Sequence, residues 1–86
     1  MADEVKVGEV VKFFTKPSVA AIKITDGEIA LGDRLHFMGH TTDFEDTVAS
    51  MQIENKDVQK AVVGDLIGIK VKDRVREKDT VHKIIG

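Results

Sequence analysis

The chain has no cysteine, tryptophan or tyrosine, one proline and four phenylalanines in 86 residues. Without Cys, neither a disulfide nor a thiolate-ligated zinc can staple so short a chain, and apolar burial must hold it together. Four Phe are few for stacking single-stranded bases, and a small core needs most of them. No apolar run approaches the roughly 18 residues of a membrane span, and the opening Met-Ala-Asp-Glu-Val-Lys lacks the apolar region of a signal peptide. A cytoplasmic protein without membrane contact is the expectation. No Gly-x-x-x-x-Gly-Lys-Ser/Thr loop is present, so nucleotide hydrolysis by this chain alone is not expected. Ser18 and Ser50 lie in no nucleophile elbow. His36, His40 and His82, with Asp43, match no metal-ligand spacing, and alternation along a strand points His36 off the core face. No enzyme, cofactor or metal is expected.

What is present is a run of short β-rich segments. Eighty-six residues make one domain, 1–86, with residues 1–5 expected as a loose tail. Val5 and Val7 share a face, Gly8 suggests a bulge, and Val10 to Phe14 is β-rich. Thr15-Lys16-Pro17-Ser18 breaks that run, because Pro cannot donate to a ladder. Val19 to Ile24 follows, with Ala20, Ile22 and Ile24 on one face, and Asp26-Gly27 closes it with a tight turn.

A pattern then repeats. Ile29-Ala-Leu-Gly-Asp-Arg-Leu-His-Phe37 matches Ala61-Val-Val-Gly-Asp-Leu-Ile-Gly-Ile69, and Lys78-Asp79-Thr80-Val81 is a degenerate third copy. In each, Asp can accept backbone N–H bonds at a turn before a strand begins, which makes these carboxylates turn formers. The period-2 faces place Leu35, Phe37, Ile67, Ile69, Val71 and Val81 inward.

The middle of the chain is ambiguous. Gly39-His-Thr-Thr-Asp43 reads as a turn, with Gly39 free to take positive φ. Beyond it, Phe44, Val48, Met51, Asn55, Val58 and Val62 trace a helical stripe, and Thr42-Asp-Phe-Glu45 fits a capping box. Thr47, Val48 and Ile53 favour a strand instead, and Asn55-Lys56-Asp57 is a turn cluster. Local physics leaves both readings open. Taken together, the strand-like runs and their turn signals argue for a small all-β barrel or sandwich.

Charge is unevenly spread beneath a net of −2. Residues 25–57 carry eight acids against Arg34 and Lys56, and residues 69–86 carry six bases against three acids. If Lys70, Lys72, Arg74 and Arg76 shared one extended segment they would form a row about 6.6 Å apart, close to the spacing of successive phosphates. With His40, Thr41 and Thr42 of the central turn they are the candidate ligand-binding residues.

The order of these runs resembles the second domain of translation GTPases such as elongation factor Tu and bacterial initiation factor two. The matching stretches are Val7-Gly-Glu-Val10, Asp26-Gly-Glu-Ile-Ala-Leu-Gly-Asp-Arg-Leu35, Val48-Ala-Ser-Met-Gln-Ile53, Val58 to Val71, and Val75-Arg-Glu-Lys-Asp-Thr-Val81. Gly39-His-Thr-Thr-Asp-Phe44 with Ser50-Met-Gln-Ile53 is similar to the barrel appended to collagenase-like peptidases. The resemblance implies a closed antiparallel Greek-key barrel of six to seven strands and makes residues 44–53 extended. The Gly-rich segment of elongation factor Tu is replaced here by Lys16-Pro-Ser-Val-Ala20, so no ligand residues carry over. Two functions follow for a non-catalytic binding module. One is an adaptor for RNA, tRNA or the ribosome; the other is a protein-interaction module docking beside a peptidase or GTPase chain.

Overall fold

The structure, a computed structural model, describes residues 3–16 and 18–85; Met1, Ala2, Pro17 and Gly86, and with them part of the expected tail and the loop proline, lie outside them. The described residues form ten strands and no helix. These are β1 (Glu4–Phe14), β2 (Val19–Ile24), β3 (Glu28–Ala30), β4 (Arg34–Met38), β5 (Asp43–Thr47), β6 (Met51–Ile53), β7 (Lys56–Asp57), β8 (Lys60–Val62), β9 (Leu66–Lys70) and β10 (Thr80–Ile84). Eight form one antiparallel sheet in the order β5-β4-β10-β1-β2-β9-β6-β7, and β3 pairs with β8 as a separate ribbon.

The alternation predicted from sequence fixes the core. Ala20, Ile22, Ile24, Leu35, Phe37, Ile67, Ile69, Val71 and Val81 are all buried, joined by Val7, Val10, Ile29, Val48, Met51, Ala61 and Val75. Bulges let the long β1 serve two neighbours. Its register against β10 slips between Lys6 and Gly8, and against β2 between Val10 and Lys12. The first slip turns Val7 inward and leaves Val5 exposed, so the two do not share a face. Gly8 belongs at this bulge because a Cβ there would lie 2.5 Å from the Lys23 carbonyl oxygen. Glu4 and Val5 are not a loose tail; they pair with Ile84 and Lys83.

The three Gly-Asp turns are built alike. The Asp33, Asp65 and Asp79 carboxylates accept the N–H groups of Ala30, Val62 and Arg76 at 2.8, 2.9 and 2.8 Å. Each Asp N–H returns to the same residue's carbonyl. The residue before each Asp has positive φ: Gly32 at 90°, Gly64 at 96°, and Lys78 at 75° where the repeat has lost its glycine. Each turn also exchanges two backbone hydrogen bonds with one buried residue elsewhere in the chain: Val48 for the first, Ile24 for the second, Val10 for the third.

Four expectations are corrected. Among the described residues the sheet does not close into a barrel: β5 and β7 remain edges, and ten strands, most of them short, stand in place of six or seven. Beside β5 the chain leaves β9 and bends at Lys72 and Asp73, and the Asp46 side chain, not a ladder, takes the Lys72 N–H at 3.0 Å. The helical stripe from Phe44 to Val62 forms no helix, as the family resemblance implied, but residues 44–53 are not one strand: β5 and β6 are separated by residues 48–50. Val48 is diverted because both its backbone groups serve the first Gly-Asp turn. The later turn falls at Glu54 and Asn55, with φ of 51° and 65°, leaving Lys56 and Asp57 paired in β7. Finally, Gly39 is not among the positive-φ residues. Its missing side chain makes room for the Asp79 carboxylate, which a Cβ would overlap.

Candidate functional site

That contact between Gly39 and Asp79 joins the two segments carrying most of the candidate ligand residues. The β4–β5 hairpin turns through Gly39 to Thr42, closed by the Gly39 N–H donating to the Thr42 carbonyl at 2.7 Å. Facing it, the segment after β9 is pinned by alternate anchors. Val71 and Val75 are buried, and the Val71 N–H donates to Ser18. Asp73 accepts the Arg74 N–H at 2.7 Å, and the buried Asp79 accepts that of Arg76. With Val75 turned inward, Arg74 and Arg76 face solvent from a held backbone.

Four of the seven candidate residues therefore meet. Thr41, Thr42, Arg74 and Arg76 line a shallow depression of about 250 Å³ with Asp43, Phe44 and Asp73. Among the described residues neither arginine is in an ion pair. The other three lie apart. Lys70 ends β9 opposite Val19, His40 stands exposed at the hairpin tip, and Lys72 borders a second groove along the outer side of β4 and β5. The four-cation row on one strand is not formed, because the chain bends at Lys72 and Asp73.

The second groove, about 530 Å³, holds a cluster that spacing rules did not assemble. His36 Nδ1 lies 2.8 Å from Glu4 Oε1 and its Nε2 lies 2.5 Å from Asp43 Oδ1. The Asp43 hydrogen bond is the main cause that raises the imidazole's pKa above its ordinary value; burial opposes it, and the Glu4 carboxylate adds to the rise. Arg34 pairs with Glu45 alongside. The cross-strand register, His36 against Glu45 and two positions from Asp43, could have revealed the pairing only once the hairpin was known. All five residues are held by partners of opposite charge once His36 is protonated, as in a structural clasp.

No protein-family model matches the chain. It is 40% identical over 80 residues to an uncharacterised protease of Methanocaldococcus jannaschii, covering 92% of this chain and 19% of that protein. It is 33% identical over 81 residues to a collagenase of Porphyromonas gingivalis, covering 93% of this chain and 20% of the relative. The chain thus spans about a fifth of the curated relatives it matches. Two structures of the C-terminal domain of a putative U32 peptidase from Geobacillus thermoleovorans superpose with TM-scores of 0.83 and 0.86. They share 18% and 17% identity with this chain, covering 90% and 92% of it and 89% and 99% of the solved chains. The fold is the same. Of the two resemblances read from sequence, the one to barrels appended to collagenase-like peptidases is supported; the link to elongation factor Tu finds no support in these relatives. Among the described residues no helix is long and apolar enough to cross a membrane.

Proposed function

We propose that this chain is a non-catalytic module that docks beside the catalytic part of a collagenase-like peptidase. The observation that carries this reading is the coverage: nearly the whole chain matches, yet only about a fifth of each protease relative. A peptidase needs a nucleophile or activated water with its base and an oxyanion site. The depressions here offer paired ions and guanidinium groups without such an arrangement. The exposed apolar side chains of Phe14 and Leu66 border an open groove floored by Ala21 and Gly68, a surface suited to contact with a larger partner.

Supplying the chain in trans tests the reading. The M. jannaschii relative, deleted for its matching fifth, should bind the chain during size-exclusion chromatography, while the chain alone should cleave neither gelatin nor short collagen peptides. Hydrolysis by the isolated chain would overturn the non-catalytic reading. Failure to bind either the truncated or the intact relative, with both folded, would overturn docking. The RNA-adaptor alternative has no specific observation in its favour. A labelled single-stranded RNA titrated across salt should show no binding with a steep salt dependence.

A further inference from the structure

We propose that the depression between the Gly39–Thr42 turn and the Asp73–Arg76 segment binds a single carboxylate of an extended peptide, with Arg74 and Arg76 as its cations. This site stands apart from docking and would act whether or not the chain associates with a larger enzyme.

The cations are available and pre-positioned. Neither guanidinium is spent on an acid among the described residues. Asp73, the acid next to Arg74, spends one oxygen on the Arg74 backbone N–H. Val75 is locked in the core between the two arginines, and Asp79 fixes the Arg76 backbone from behind. Holding the backbone lowers the ordering cost of binding. The planar guanidinium fork matches a carboxylate in a bidentate pair, and threonines line the opposite wall.

The surroundings select a lone carboxylate over a polyanion. A nucleic-acid strand needs cations repeated along its phosphates, but Lys70 and Lys72 do not continue the pair. Asp43 and Asp73 line the depression beside the arginines and Glu77 borders their other side, so successive phosphates of a chain would meet repeated acids. A single carboxylate can pair with the two guanidinium groups while Asp43 is engaged by His36 and Asp73 by the Arg74 N–H. The Phe44 ring, stacked on Phe37 with centroids 5.0 Å apart, supplies apolar wall beside the charge, as an aliphatic peptide residue would require. Terminal and side-chain carboxylates share this chemistry.

Amide NMR on the ¹⁵N-labelled chain tests the proposal with three N-acetylated pentapeptides of Ala, Leu and Gly. One has a free C-terminus, one is amidated, and one is amidated with a central Glu. The amides of Thr41, Thr42, Arg74 and Arg76 should shift with one or both carboxylate peptides at about 1 mM and stay in place with the neutral one. Which peptide binds identifies the source. Arg74→Gln with Arg76→Gln should weaken binding at least about tenfold. Should that variant unfold, Arg74→Lys with Arg76→Lys, which keeps charge but loses the fork, should weaken it several-fold. Equal shifts with the neutral peptide, undiminished binding in a folded variant, or tighter binding of single-stranded RNA to the same amides would overturn the proposal.

Discussion

The imidazole of His36 stands between two carboxylates, with Nε2 2.5 Å from Asp43 Oδ1 and Nδ1 2.8 Å from Glu4 Oε1. A neutral ring carries one N–H and can donate to only one of them; the imidazolium donates to both. The clasp links the beginnings of β1 and β5 through β4.

Its pH dependence has a definite sign. The folded-state pKa of His36 is raised above 6.5, chiefly by the Asp43 hydrogen bond. Its contribution is therefore complete below about pH 6.5 while the carboxylates stay ionised, and is lost as pH rises through the folded value. Melting temperatures from pH 5.5 to 9 should fall more steeply for the wild type than for His36→Gln. Parallel curves would show that the imidazolium does not fasten the sheet.

Gly39→Ala should destabilise the protein by about 1–3 kcal/mol, because the added methyl meets the Asp79 carboxylate and neither element can retreat freely. Urea unfolding measures this. A neutral result would mean that the hairpin and the Arg76 turn separate without cost.

Asp33→Ala, Asp65→Ala and Asp79→Ala each remove a side-chain bond to a turn N–H, at about 0.5–2 kcal/mol apiece. Asp79 is the most buried of the three and should cost the most. It should also weaken peptide binding by releasing Arg76, while Asp65→Ala should leave binding intact. Denaturation midpoints together with the NMR titration distinguish the two effects.

Lys78 holds φ at 75° where the sister turns have glycine. Lys78→Gly should relieve that backbone and stabilise by up to about 1 kcal/mol, after the greater freedom of glycine in the unfolded chain is subtracted. A loss of stability would show that the Lys78 side chain contributes packing or charge that outweighs its backbone cost.

Much of the fold was readable because alternation and turn chemistry act locally. The inward faces of β2, β4 and β9, the Gly8 bulge and all three Gly-Asp turns follow from neighbours in sequence. The misreadings arise where a distant contact decides. Val48 leaves its strand because Gly32 and Asp33 engage it, and Gly39 is small because Asp79 lies against it. The cationic row failed for the same reason. Burying Val71 and Val75 on either side of a bend takes Lys72 away from the two arginines, and a sequence of alternating Lys and Arg does not announce the bend. The four candidate residues that come together, Thr41 and Thr42 with Arg74 and Arg76, combine a legible turn with a meeting that only the tertiary structure provides.

The reciprocal bonds of the three turns are nested like parentheses: Asp33 with Val48 lies inside Ile24 with Asp65, which lies inside Val10 with Asp79. Such nesting favours assembly from the inside out. Closing the innermost pair costs the least chain entropy, and it shortens the effective loop that the next pair must close. Each closure in turn prepares the one outside it, so a topology rich in distant pairings can be reached through a succession of short searches. The outermost pair, which spans the longest loop, is the one that orders the Arg76 turn, so closing the inner pairs first would lower the cost of completing the arginine edge.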